Sequence, residues 1–194
     1  MSRIVDRGAI VAAYVGIGMA VTMAIGFLLV IPIQPIYVLL SIPGGMVIGY
    51  YANARSGRQR GAWRRILPNS LLAGAVTGLS LAVLLLGTRA LFFFADSGYP
   101  DFNRTDANGT AVGATCQTGA DCVYQRYLKV EAETLSDAGV TDAASFASLY
   151  WQGQWASAGF VLVSTTAGAL LGGVLFGIAG PRSRTVPARS PATA

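Results

Sequence analysis

Four long apolar runs, separated by short basic segments and one long polar segment, constrain the fold of this chain more than any other feature. The runs lie at about residues 8–31, 36–52, 68–94 and 154–179. An apolar helix of about 20 residues crosses a hydrocarbon core about 30 Å thick. Only 12% of the residues are charged, whereas about a quarter is usual for a soluble domain. The sequence therefore predicts an all-α integral membrane protein built on a bundle of four transmembrane helices.

Two of these runs allow a second interpretation. The first could be a secretory signal, but the apolar part of such a signal has only about 7–15 residues. Here the run is longer and leads into the turn-forming segment IPIQP, which favours an uncleaved anchor. The second run contains Pro43, followed by Gly44 and Gly45. We expect a kinked helix there, because neighbouring helices can satisfy the freed carbonyl, with a re-entrant segment as the alternative.

Arginines flank the runs in a pattern that sets the orientation. They form three groups, one before the first run, one in the loop 53–67 and one in the tail 180–194: Arg3 and Arg7; Arg55, Arg58, Arg60, Arg64 and Arg65; Arg182, Arg184 and Arg189. With four spans, all three groups lie on one face, which the positive-inside rule makes cytoplasmic. Residues 95–153 then form an extracytoplasmic lid, and a bacterial cytoplasmic membrane is the predicted location. The tail, rich in proline and small residues, is predicted to be disordered.

Aromatic and basic side chains mark the predicted membrane interfaces. Trp151 and Trp155 are one helical turn apart where the lid meets the fourth run, a position that tryptophan favours. Arg89 lies near the far end of the third run and can extend its side chain to the interface. Trp63 and the five arginines of the loop 53–67 complete the interface set.

The two cysteines, Cys116 and Cys122, lie in the predicted lid. Outside the cytoplasm, nearby cysteines usually form a disulfide, and this one would stabilise its segment by about 2–3 kcal/mol. A zinc site normally needs four ligands, and the chain has no histidine and no third cysteine. The spacing also differs from that of a Cys-x-x-Cys redox pair. A structural disulfide, and no metal, is therefore predicted.

The lid also shows helical periodicity. Val123, Tyr127, Val130 and Leu135 share one face of a helix with charged residues opposite, and Gly139 is a plausible stop. Thr141 or Asp142 could then cap a second helix that continues into the fourth run. Asn103 and Asn108 match the glycosylation acceptor pattern, which matters only in a glycosylating secretory system.

Small residues recur at every fourth position of each run. Lipid provides no hydrophobic drive for helix association, so helices in a membrane pack through small residues that allow close approach. The predicted packing positions are Gly16 and Ala20; Gly45 and Gly49; Gly74 and Gly78; Gly168 and Gly172. The alternative is that a chain rich in alanine and glycine produces such stripes by chance. The segments GGMVIGYYANARSGR and GGVLFGIAGPRSR also resemble each other. Such a resemblance is expected if the chain forms two hairpins of equal orientation. It could have arisen by duplication or by convergence.

No Asp, Glu, Lys or His lies in the middle of a run, although ion-coupled transporters usually need such residues. The chain has no histidine, so neither a Ser/His/Asp set nor the usual axial ligand of haem is possible, and it has no aromatic–basic platform for nucleic acid. We expect no catalytic residues, no cofactor and no nucleic-acid partner. The predicted function is a non-catalytic accessory or scaffold subunit of a larger membrane complex, which packs through small-residue helix faces and uses the lid for docking. The expected partners are membrane lipid and either other integral subunits or copies of itself. The alternatives are a small oligomeric transporter or channel for an uncharged or lipid-like solute, and a membrane sensor.

Overall fold

The computed structural model describes residues 5–29, 34–95, 108, 110, 116 and 119–181, with the backbone alone for residues 26–29, 34–39 and 130. Five helices account for most of these residues: α1 (Arg7–Leu29), α2 (Gln34–Arg55), α3 (Trp63–Ala95), α4 (Ala120–Asp137) and α5 (Ala143–Ala179). No strand occurs within the described ranges, so the predicted all-α class is confirmed.

Of the five helices in the described ranges, three are long and apolar enough to cross a membrane. They are Arg7–Ile25 of α1, the whole of α3 and the whole of α5, which indicates an integral membrane protein. α2 is not among them. α2 itself has 22 residues, a length within the roughly 17–25 residues that a crossing requires.

Two helices begin earlier than the apolar runs. α5 begins at Ala143 and continues without a break into the fourth run. The Asp142 side chain accepts a hydrogen bond from the Ser145 N–H, and the Ser145 hydroxyl bonds to the Asp142 N–H. This reciprocal capping box confirms one of the two predicted caps.

α3 begins at Trp63, five residues before the predicted start at 68. The N–H groups of Arg65 and Ile66 both donate to the Ala62 carbonyl, at 2.9 and 3.0 Å. Helical hydrogen bonding therefore begins before Pro68. In α2, Pro43 likewise lies inside a single helix. That second run is therefore helical on both sides of the proline, which favours the predicted helix over a re-entrant segment.

α1, α2, α3 and α5 pack side by side, with α5 against both α2 and α3, and α1 against α3 and α2. Gly45 lies against Thr165 and Gly49 against Ala169, so α2 and α5 run in the same direction. Gly78 lies against Leu162 on α5 while Gly74 lies against Ala169, so α3 runs in the opposite direction.

The four helices meet through small side chains and expose large apolar ones. Ala9, Ala12, Ala52 and Ala73 are fully buried where α1, α2 and α3 meet. Exposed large apolar side chains on the outer faces of the same helices include Tyr14, Val47, Leu79, Val83, Phe160, Val163 and Ile178. This distribution is typical of helices surrounded by lipid, where small residues allow close approach.

α4 packs against the first part of α5 and the last turns of α3. An aromatic cluster holds these three elements together, formed by Phe93, Tyr124, Tyr127, Phe146, Tyr150 and Trp151. α4 is interrupted at Glu131, whose backbone is not helical. Gly139 has a φ of 71° just after α4, a conformation that favours glycine and matches the predicted stop.

Several predictions concern residues that the structure does not describe. They include the turn at 30–33, most of the segment 96–118 with Asn103, and the tail from 182 onwards with its three arginines.

Candidate functional site

A close contact joins α2 to α5 through six small residues, which we call the small-residue interface: Ser41, Gly45 and Gly49 with Ser164, Gly168 and Gly172. The Ser41 and Ser164 hydroxyls are hydrogen-bonded at 2.7 Å. A Cβ atom on Gly172 would overlap the Met46 carbonyl oxygen and lie 2.8 Å from its carbon. The two backbones are therefore in direct contact.

The contacts across this interface are reciprocal. A Cβ on Gly45 would overlap the carbonyl of Thr165, and one on Gly168 would overlap the carbonyl of Ile42. The same offset of 123 residues that separates Ser41 from Ser164 also relates Gly45 to Gly168. Such reciprocity is what a local two-fold axis along the helices produces. The two segments that resemble each other in sequence, GGMVIGYYANARSGR and GGVLFGIAGPRSR, lie in helices that run in the same direction. The residues that face each other across the interface, however, are matched by the Ser-x3-Gly-x3-Gly pattern and not by the Gly-Gly pairs of these segments.

The remaining small residues of the predicted faces also lie between helices of this chain. A Cβ on Gly74 would overlap the Ala169 side chain, and one on Gly78 would lie 3.2 Å from the Leu162 Cα. On α1, Gly16 faces the Thr77 side chain, and Ala20 is fully buried. All eight predicted positions are thus placed inside the protein.

A polar cluster lies where the starts of α1 and α3 meet the end of α2. It consists of Asp6, Asn53, Ser56, Arg58, Asn69 and Ser70. Arg58 donates from Nε to Asp6 Oδ2 at 2.7 Å and from Nη2 to Oδ1 at 2.5 Å. Asn69 Nδ2 donates to Asp6 Oδ2 at 2.8 Å, and the Asp6 N–H donates to Asn69 Oδ1 at 3.0 Å. The carboxylate therefore joins three separate chain segments.

Asn53 connects this cluster to the small-residue interface. Its fully buried amide donates to Ser70 Oγ at 2.8 Å and to the Gly49 carbonyl at 3.0 Å. The Ser70 hydroxyl lies against Gly173 of α5. Hydrogen bonds within such buried groups rigidify a core when every member is satisfied.

The polar cluster is not built for acid–base chemistry. Hydrogen bonds from Arg58, and then from Asn69, hold the pKa of Asp6 below its ordinary value of 3.8. Asp6 thus remains a carboxylate near neutral pH, and the amides and hydroxyls around it do not titrate there. Within the described ranges, no group of three or more His, Cys, Asp or Glu side chains could hold a metal ion.

The predicted interface residues lie at the two ends of the helices. Arg55, Arg60 and Arg64 are exposed near the polar cluster, and Arg65 is partly buried there. The loop between α2 and α3 bonds to the end of α5, since Arg60 N–H donates to the Pro181 carbonyl and Gly61 N–H to the Gly177 carbonyl. The Trp63 ring covers Gly177.

At the opposite end, Trp151 belongs to the aromatic cluster, where its ring centre lies 5.4 Å from that of Phe93. Trp155 is 65% exposed, and Arg89 is partly buried on α3. Beside this cluster, Cys116 and Cys122 form a disulfide, as the sequence predicts.

Asp6 was missed by the sequence analysis. The available signal was that Asp6 is an acidic residue set between Arg3 and Arg7, on the side where the other charges are basic. Asn53 and Asn69 gave a second signal, because each is an amide close to an apolar run.

Comparisons with models of known protein families, with curated proteins and with solved structures find no match to this chain. A function for the protein therefore has to be inferred from the arrangement of its own residues.

Proposed function

We propose that α2 crosses the membrane together with α1, α3 and α5, as a four-helix bundle in a bacterial cytoplasmic membrane. The termini and the loop 53–67 lie in the cytoplasm, and residues 95–153 form the extracytoplasmic lid. The alternating helix directions support this topology. The exposed arginines gather at the end with the polar cluster, where the positive-inside rule places the cytoplasm. The disulfide lies at the other end, which suits an oxidising compartment.

Within this topology, the chain acts as a non-catalytic accessory or scaffold subunit that docks through its lid. The observation that carries this proposal is the continuity of α5. The same helix of 37 residues contributes Phe146 and Tyr150 to the aromatic cluster and Gly168 and Gly172 to the small-residue interface. At 1.5 Å per residue it is about 55 Å long, roughly 25 Å longer than the hydrocarbon core. The part of the lid that packs on the start of α5 is therefore held above the bundle, as a docking platform requires.

The docking surface is inferred from the residues that remain exposed once the four helices have packed. The eight small residues of the predicted faces pack within the chain, so they are not available to another subunit. The lid and the adjoining exposed face of α5, which carries Trp155, Phe160 and Val163, are the surfaces left for a partner. Membrane lipid covers the remaining apolar faces.

The transporter alternative has less support. A hydrated path lined by the hydroxyls of Thr77, Ser80 and Thr165 would support a transporter. The Thr77 hydroxyl donates to the Ala73 carbonyl and the Ser80 hydroxyl to the Val76 carbonyl, both at 2.8 Å. These two hydroxyls are thus engaged by their own helix. The α2–α5 contact also brings two backbones together where a path between these helices would run.

Site-specific photo-crosslinking in the native membrane tests the docking proposal. A photoreactive residue at Trp155 should give one discrete product with another integral membrane protein. Val47, which is similarly exposed on α2, is the matched control and should react with lipid. Failure of Trp155 to capture any protein would contradict docking through the face of α5 that adjoins the lid. Capture only of this same chain would favour an oligomeric transporter.

A further inference from the structure

Arg126 of α4 is a buried cation that has no counter-charge among the residues that the structure describes. Its side chain is only 4% exposed. Its Nε and Nη2 atoms have no hydrogen-bond partner among the residues that the structure describes. A guanidinium does not lose its proton in a protein, and an unpaired buried charge is costly. Such a group in a native protein calls for a counter-charge that the described residues do not supply.

The two unpaired nitrogens form one edge of the guanidinium. The same edge of Arg58, Nε and Nη2, holds both carboxylate oxygens of Asp6. Two parallel N–H groups on one edge match two oxygens attached to a single centre, as in a carboxylate or a phosphate. Arg126 therefore presents the same pair of N–H groups that Arg58 uses, with no partner for them in the part of the chain that the structure describes.

The surroundings of Arg126 separate it from the aromatic cluster. It lies one helical turn after Cys122, which is 6% exposed and bonded to Cys116. Val123 and Tyr124 face the aromatic cluster, whereas Cys122 and Arg126 share a different face of the helix. The acidic residues of α4 itself are exposed: Asp121, Glu131, Glu133 and Asp137.

We propose that Arg126 is the centre of an oxyanion-binding site in the lid, which takes a carboxylate or phosphate group through Nε and Nη2. A ligand reaches a side chain this deeply buried only when neighbouring residues move. The interruption of α4 at Glu131, five residues beyond Arg126, is a place where this part of the helix can yield. The disulfide at Cys122 holds the other side of the site in place.

The test measures thermal unfolding of the purified, oxidised protein in detergent at constant ionic strength, with chloride replaced by acetate or by inorganic phosphate. The wild-type protein should show a saturable rise in Tm with at least one of the two, and the more effective anion identifies the ligand class. Lys129→Met, which removes an exposed positive charge from the same helix, should behave like the wild type. Arg126→Met should abolish the rise, and Arg126→Lys, which lacks the fork, should weaken binding by about tenfold or more.

The proposal is overturned if the wild-type Tm does not respond to either anion, or if Arg126→Met responds as the wild type does. It is also overturned if Arg126→Met lowers the Tm in chloride and the wild type shows no anion response, because Arg126 would then have a partner within the chain. Should Arg126→Met fail to fold, the wild-type titration and the Arg126→Lys comparison still decide the question.

Discussion

Gly172 provides a quantitative test of the contact between α2 and α5. In Gly172→Ala, the new methyl group would overlap the Met46 carbonyl oxygen and lie 2.8 and 2.9 Å from the Met46 carbon and Cα. These are backbone atoms, so the clash cannot be relieved by a change of rotamer. The helices would have to separate by about 0.5–1 Å, which forfeits a quarter to a half of the dispersion energy of each contact along the interface. Overpacking of this kind costs about 1–3 kcal/mol.

Gly159→Ala is the matched control, because Gly159 belongs to the same helix and a Cβ there would meet nothing within 4 Å. Both variants gain the same helix propensity, up to about 1 kcal/mol relative to glycine. The difference in unfolding free energy between them therefore isolates the contact with Met46. Unfolding in mixed micelles with increasing SDS, followed by tryptophan fluorescence, measures both. We expect Gly172→Ala to be less stable than Gly159→Ala by about 1–3 kcal/mol. Equal stabilities would show that the two backbones are not in contact at Gly172.

Three further predictions concern the polar cluster, the disulfide and the orientation. Asp6→Asn removes the ion pair with Arg58 and should destabilise the protein by about 1–2 kcal/mol at pH 7. The loss is modest because the ion pair is partly exposed to solvent, at 15% for Asp6 and 34% for Arg58. Because the pKa of Asp6 is lowered in the folded protein, the contribution of Asp6 to the free energy of unfolding is present above pH 3.8 and is lost as the pH falls through the folded pKa. Unfolding of Asp6→Asn by urea or SDS should lack this part of the pH dependence. Reduction of the disulfide should lower the local stability of α4 by about 2 kcal/mol. Amide hydrogen exchange in residues 120–137 should then become faster, and unchanged exchange would contradict the prediction. In a cysteine-free background, Lys129→Cys should react with an impermeant maleimide in intact cells and Arg60→Cys only after permeabilisation; the reverse result would invert the orientation.

Those features that depend on local pattern could be predicted from the sequence. Helical spans follow from apolar run length, and the cap at Asp142 follows from its position before a helical segment. The pairing of Cys116 with Cys122 follows from proximity and compartment. The small residues Gly45, Gly49, Gly168 and Gly172 could be identified by spacing. Which helices they join could not, because spacing within one helix contains no information about its neighbour.

The missed features depend on contacts between distant segments. Asp6 lies 52 residues from Arg58 and 63 from Asn69, and orientation alone offered a sufficient explanation for Arg58. The sequence analysis placed the charged residues of α4 together opposite its apolar face and did not single out Arg126, because the amphipathic pattern of a helix indicates only one packed face. The structure buries Arg126 on a second face.

Isolation of the chain from its native membrane in nanodiscs, followed by mass measurement of the intact particle, tests the proposed function most directly. If the chain is an accessory subunit, it should be recovered in a constant ratio with the same set of other integral membrane proteins. Quantitative recovery as a monomer, or as an oligomer of this chain alone, would contradict that function.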